Sequence, residues 1–148
     1  KIDQKAIWDL KVLCKKQRRK LFLANNYKLA VKMNLDGVYI PAFNQKLNFH
    51  LYAKRKNFMT LGSAHNVKEI RIKEKQKVRC IFLSPIFKVP KSNKYLGVNL
   101  FKNLMLKTNN KIIALGGINI KNFRKIKILN CYGFASISFI KENQKFLN

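Results

Sequence analysis

The chain has 148 residues, 47% of them hydrophobic, and its 32 basic and six acidic side chains leave a net charge of +26. That length supports one domain with a sizeable core, and no apolar run approaches the roughly 20 residues that a membrane-spanning helix needs. The opening KIDQKAIWDLKVLCKK mixes charge into a helical pattern and carries no signal-peptide signature, so a cytoplasmic protein is expected.

In chain order, the spacing of Ile7, Leu10, Leu13 and Cys14 predicts an amphipathic helix that ends near the basic cluster at 15–20, with Trp8 as a packing residue. A strand is expected at 21–24, a helix at 25–33 and a strand at 36–40. A helix at 46–54 follows, with His50 on it as a packing or surface residue, and then a strand at 58–62. The charged helix at 67–77 turns Ile70 inward and exposes the run 73–77 to solvent; a strand occupies 79–84. Helix 98–106, strand 111–115, helix 121–129 and strand 134–138 complete the pattern. Short apolar strands alternating with helices read as parallel βαβ units in a single α/β domain over 1–148. Their continuous apolar runs suit strands covered on both faces.

The charge invites a nucleic-acid reading, but the basic residues are 26 lysines and only six arginines, spread along the whole chain. Readers of bases lean on arginine forks and exposed aromatics. With the many Asn and Ile, the lysine excess suits an AT-rich coding bias, so no specific nucleic-acid partner is expected, only salt-sensitive attraction to polyanions. The odd number of cysteines, Cys14, Cys80 and Cys131, without metal-like spacing, predicts three reduced, buried thiols.

The most informative stretch is KIIALGGIN at 111–119, followed after one helix length by GFASIS at 133–138. Apolar runs that end in a glycine pair and then in small residues with a serine build a phosphate site after the last two strands of a (β/α)8 barrel. Six units do not close an eightfold barrel, and the chain begins at Lys1, so the first two units are expected before it. An open six-stranded parallel sheet is the alternative. Were this the whole protein, the first strand would present an unpaired edge and invite a homo-oligomer.

The segments LFLANNYKLA, DGVYIPAFN, LGSAHNVKEI, IFLSPIFK, ALGGINIKN and GFASIS, in this order and spacing, resemble the thiamine phosphate synthase/TenI superfamily from about Val12 to Ile140. The resemblance implies a TIM-barrel fold, α/β of the (β/α)8 type, with about six of eight units present and the first two missing. It implies a synthase that joins hydroxymethylpyrimidine diphosphate to thiazole phosphate and releases diphosphate, or a TenI-like thiazole tautomerase. By the same resemblance the thiazole phosphate rests on Gly116, Gly117, Ile137 and Ser138, and Ser63–Ala64–His65 matches the family's Ser-x-His. Ser63 then faces the diphosphate and His65 is the acid/base of the tautomerase branch.

The same comparison locates departures. The family's Mg2+ carboxylates align with Asn25 and Asn44, two neutral amides where a hard ion prefers charged oxygens. Val89 stands at a diphosphate-gripping threonine, leaving Asn25 and Lys91, or Lys94, as the diphosphate contacts. The pyrimidine-binding Gln-x-Arg-x-Lys is not visible. Mg2+ is therefore expected as cofactor only if synthase activity is retained, and otherwise none.

Plainer roles stand beside these. Asn25 or Asn26 can cap the helix that starts there, His65 can be a first-turn residue, and the glycine pair can serve a tight turn. The reading is a synthase-like transferase on phosphorylated thiazole and pyrimidine substrates. The alternatives are a tautomerase using His65, a thiazole-phosphate-binding barrel without turnover, and a basic polyanion-binding protein.

Overall fold

The computed structural model describes residues 3–47, 57–90 and 92–142. Helix α1 (Gln4–Lys16) leads into β1 (Phe22–Ala24), α2 (Tyr27–Lys32), β2 (Gly37–Ile40) and β3 (Met59–Ala64). Then come α3 (Val67–Lys75), β4 (Cys80–Leu83), α4 (Gly97–Met105), β5 (Lys111–Leu115), α5 (Phe123–Ile128), β6 (Gly133–Ala135) and α6 (Ser138–Glu142). The six strands form one sheet in the order β1-β2-β3-β4-β5-β6, every pair parallel. Each strand is laid beside its predecessor with no reversal of direction across the sheet. That is the winding of a barrel, not of a doubly wound sheet with a switch point. All six C-terminal strand ends therefore share one rim.

Local chemistry fixes where the helices start. Asp3 caps α1 by accepting from the Lys5 and Ala6 amides, Asn26 caps α2 through the Leu29 amide, and Asn66 caps α3 through the Glu69 amide. Glu69 reaches back to accept from the His65 amide at 2.7 Å, so two donors at the start of α3 are satisfied by one short motif.

The two faces of the sheet differ. On the outer face Val38, Ile40, Ala64, Ile81, Leu83 and Ala114 are buried against Ala30, Ile70, Phe101 and Ile126 of the helices. Fully burying a side chain such as Phe101 or Ile81 contributes about 1.5–3 kcal/mol, so this layer supplies most of the cohesion. On the inner face Tyr39 and Phe82 meet edge to face at 5.7 Å, and these rings, like Leu61, Ile113 and Leu115, are only half-buried. The strands read as buried on both faces are thus tightly covered on one. As edge strands, β1 and β6 pair on one side only among the described residues.

Other differences have local causes. Helix α1 buries only Ile7, while Trp8, Leu10 and Leu13 are about half exposed and the Lys11 ammonium sits 4.9 Å from the Trp8 ring. Residues 46 and 47 lie outside helix, and the rest of the helix expected at 46–54, with His50, lies outside the described residues. The last strand ends at Ala135, because Ser136 accepts from the Phe139 amide and turns the chain into α6. In the run read as solvated, Lys73 is fully buried.

Candidate functional site

The expected site residues come from different strands but collect along the rim, as parallel strands of one barrel require. At its β1–β2 end, Asn25 adopts the left-handed region, φ +55°, directly after β1. The helix cap is Asn26, which leaves the Asn25 amide for another partner: its Oδ1 accepts from Asn44 Nδ2 at 2.5 Å. Asn44 Oδ1 in turn accepts from the Lys46 amide at 2.9 Å. Behind this loop Lys73 donates to the Pro41 and Asn44 carbonyls, at 2.8 and 2.9 Å.

This pair is a poor fit to Mg2+. Both amide oxygens are engaged by N–H donors, neither carries charge, and an ammonium bonds the Asn44 carbonyl directly behind them. A hard divalent ion favours carboxylate or phosphate oxygens. Among the described residues no three His, Cys, Asp or Glu side chains gather as a metal site.

In the middle of the rim, Ser63 is buried near the end of β3, and His65, on the same face two residues on, extends past the strand into solvent. His65 Nδ1 lies 2.7 Å from the Ser84 carbonyl oxygen and 3.4 Å from Ser84 Oγ. A carbonyl only accepts, so Nδ1 carries the hydrogen and the neutral ring keeps its lone pair on Nε2. The ring is thereby set as a base at Nε2, its orientation fixed from the end of β4.

At the β5–β6 end, Gly116 and Gly117 have φ of +98° and +67°. A Cβ on Gly116 would stand 2.6 Å from Pro85 Cβ, and one on Gly117 would stand 2.4 Å from the Lys88 carbonyl oxygen. The space that glycine leaves is filled by the main chain of 85–88, bonded through Ile86 N to Leu115 O and Phe87 N to Gly116 O. Asn122 fixes the far side of the turn, donating to the Gly117 carbonyl at 2.8 Å and accepting from the Asn119 amide. Ser136 Oγ donates to the Ile118 carbonyl at 2.7 Å and ties the turn after β6 to the turn after β5. Ile137 and Ser138 are exposed at the start of α6.

The structure thus joins Asn25 to Asn44 and His65 to Ser84, and it packs the glycine pair on the loop after β4. Lys91 lies outside the described residues. Ser84, Ser136 and Asn122 are not among the expected site residues, and Lys73 is expected in solvent. Ser136, three residues before Phe139 in a cap-like spacing, and Lys73, three residues after the inward Ile70, carry local signals.

The chain is similar to known proteins. Residues 4–140 match the family model described as thiamine monophosphate synthase (TMP-TENI). A protein of Aquifex aeolicus provisionally named thiamine-phosphate synthase 2 is 30% identical over 141 residues, covering 90% of this chain and 73% of that one. A thiamine-phosphate synthase of Prochlorococcus marinus is 30% identical over 138 residues, covering 89% of this chain and 39% of that one. The solved structure of a thiamine phosphate pyrophosphorylase from Pyrococcus furiosus superposes with a TM-score of 0.78 over 99% of this chain and 78% of that chain. Its identity is 17%, so it speaks for the fold, a barrel of this type with six parallel strands present here.

Proposed function

The chain belongs to the thiamine monophosphate synthase family, and from that membership we propose that it serves thiamine biosynthesis as a transferase joining hydroxymethylpyrimidine diphosphate to thiazole phosphate. The observation that carries the reading is the linked pair of turns after β5 and β6, with two positive-φ glycines fastened by Asn122 and Ser136. Main chain of this form at the rim of a βα barrel offers amides to a phosphate and holds them without reorganisation. Gly116, Gly117, Ile137 and Ser138 then receive the thiazole phosphate.

In the joining step the thiazole nitrogen lone pair forms the C–N bond to the pyrimidine methylene carbon. The C–O bond breaks and the diphosphate leaves with its electron pair. Charge grows on that leaving group, so the catalytic work is electrostatic. The Ser63 hydroxyl, the Asn25 and Asn44 amides, and lysines such as Lys91 and Lys94 are the groups proposed to meet it. The amide pair is a poor Mg2+ site, since both its oxygens are neutral and already engaged.

A second reading has its own observation. His65, with Nδ1–H on the Ser84 carbonyl, offers Nε2 as a base, which is what a thiazole tautomerase needs. Incubating the chain with both synthase substrates and measuring thiamine phosphate and diphosphate separates the two. The proposal expects equal amounts of both products, with His65→Asn still forming them. No joined product, together with isomerisation of separately supplied thiazole carboxylate phosphate that His65→Asn abolishes, would replace the synthase reading with the tautomerase.

A further inference from the structure

We propose that Lys73 and Gln76, on the helix side of the sheet, are positioning residues that fix the 41–46 loop and thereby set the Asn44 amide against Asn25 at the rim. The inference rests on the reading of that rim as the ligand site.

The geometry is one of matched donors and acceptors. An ammonium has three hydrogens to give. Lys73 Nζ has three acceptors, Pro41 O at 2.8 Å, Asn44 O at 2.9 Å and Gln76 Oε1 at 2.9 Å. The Gln76 amide has two hydrogens to give, and it donates to Asn44 O at 2.9 Å and Lys46 O at 2.8 Å. Two side chains from α3 and its C-terminal turn thus hold three carbonyls of a loop about thirty residues away in sequence. The Asn44 carbonyl receives both. Its own side chain bonds forward to Asn25 and back to the Lys46 amide, so the residue is fixed at every polar atom except its amide nitrogen's second hydrogen.

Burial makes the arrangement directional. Lys73 is 0% and Gln76 1% exposed. A buried ammonium is costly to desolvate, and where packing alone is needed an apolar side chain of similar volume does as well or better. Here the bonded partners of the charge are uncharged carbonyl and amide oxygens, and two of them belong to the loop that carries Asn44. Room for the stem is provided by Gly62 of β3, where a Cβ would come within 2.8 Å of Lys73 Cδ and 3.1 Å of Val78 Cγ1. The strand, the helix and the loop are therefore shaped around this one side chain.

The test uses the full chain with Lys73→Met, and with Gln76→Glu, which keeps the size and an acceptor for Lys73 but removes both donors to the loop. Hydrogen exchange at the Asn44 and Lys46 amides is compared with exchange in β4 and β5. Calorimetric affinities are measured for two probes, inorganic diphosphate and thiazole phosphate. The expected result is loop exchange about tenfold faster and diphosphate affinity about tenfold lower, with the core strands and thiazole phosphate affinity within about twofold of wild type. Unchanged loop exchange in both variants would overturn the clamp. So would equal acceleration of loop and core, which marks general destabilisation; if Lys73→Met does not fold, Gln76→Glu decides alone. A wild-type chain that binds neither probe would refute the site reading, while the exchange data would still decide whether Lys73 holds the loop.

Discussion

The two ends of the rim are built by different means. After β5 and β6 the candidate site is main chain: glycines at positive φ, packed on the 85–88 backbone and tied by Asn122 and Ser136 to carbonyls. After β1 and β2 it is side chain: an asparagine pair at the surface, held from behind by a buried lysine and glutamine. A main-chain site is sensitive to the bulk of its residues and largely insensitive to charge. A side-chain site is the reverse, because each donor or charge depends on one residue type. Of the positions where the resemblance implies a departure, Asn25 and Asn44 lie at the side-chain end, while Val89 lies in the loop after β4, beside the main chain that packs on the glycine pair.

The largest effect should come at the main-chain end. Gly117→Ala forces an alanine to φ +67° and brings its Cβ against the Lys88 carbonyl, for a loss of about 2–5 kcal/mol in stability. Thiazole phosphate binding should disappear with it. Denaturant unfolding and calorimetry check both, and an alanine variant of unchanged stability would show that the turn does not depend on glycine at 117.

At the side-chain end, replacing both asparagines by aspartate tests charge directly. Asn25→Asp with Asn44→Asp loses the amide–amide hydrogen bond and juxtaposes two carboxylates, at a cost of about 1–3 kcal/mol. Mn2+ should restore that stability in the double variant and leave the wild type unmoved. Equal responses to Mn2+ in a thermal melt would mean that the amide pair is not what sets cation affinity.

The third test is a pH dependence. Burial lowers the Lys73 pKa from 10.5 to about 8, partly offset by the Glu69 carboxylate on the same helix. Facing it from the loop are the Pro41 and Asn44 carbonyls, with Gln76 beside it. Between about pH 8 and 10.5 the unfolded chain binds the extra proton, so this group's contribution to stability rises with pH across that window. Below about pH 8 both states are protonated, and the burial penalty is fully present. The other lysines titrate too, so the observable is the wild-type minus Lys73→Met difference in urea midpoint, which should climb from pH 8 to 10. A flat difference would place the ammonium in a more solvated setting.

Much of the fold was legible because its signals are local. Apolar runs marked all six strands to within a few residues, and the glycine pair marked the turn after β5. Asn25 and Asn26 could not be told apart in sequence, since either can cap; a left-handed backbone at Asn25 and a partner 19 residues away separate them. Lys73 was misread because a lysine in KEKQK looks solvated. Yet it stands three residues after the inward Ile70, on one helix face, and Gly62 leaves room beneath it. The spacing from Ile70 was in the sequence, but the room at Gly62 and the carbonyls that make a buried ammonium tolerable are tertiary. Trp8 shows the opposite limit: its helical spacing was right, but its exposure depends on what α1 packs against.

The β5–β6 end of the rim is proposed to bind the phosphate of a thiazole. Calorimetric titration of the folded chain with thiazole phosphate at physiological salt, with inorganic phosphate as control, decides this. The expected result is saturable binding tighter than phosphate, lost in Gly117→Ala and kept in Lys73→Met. Binding no tighter than phosphate by a demonstrably folded chain would contradict it.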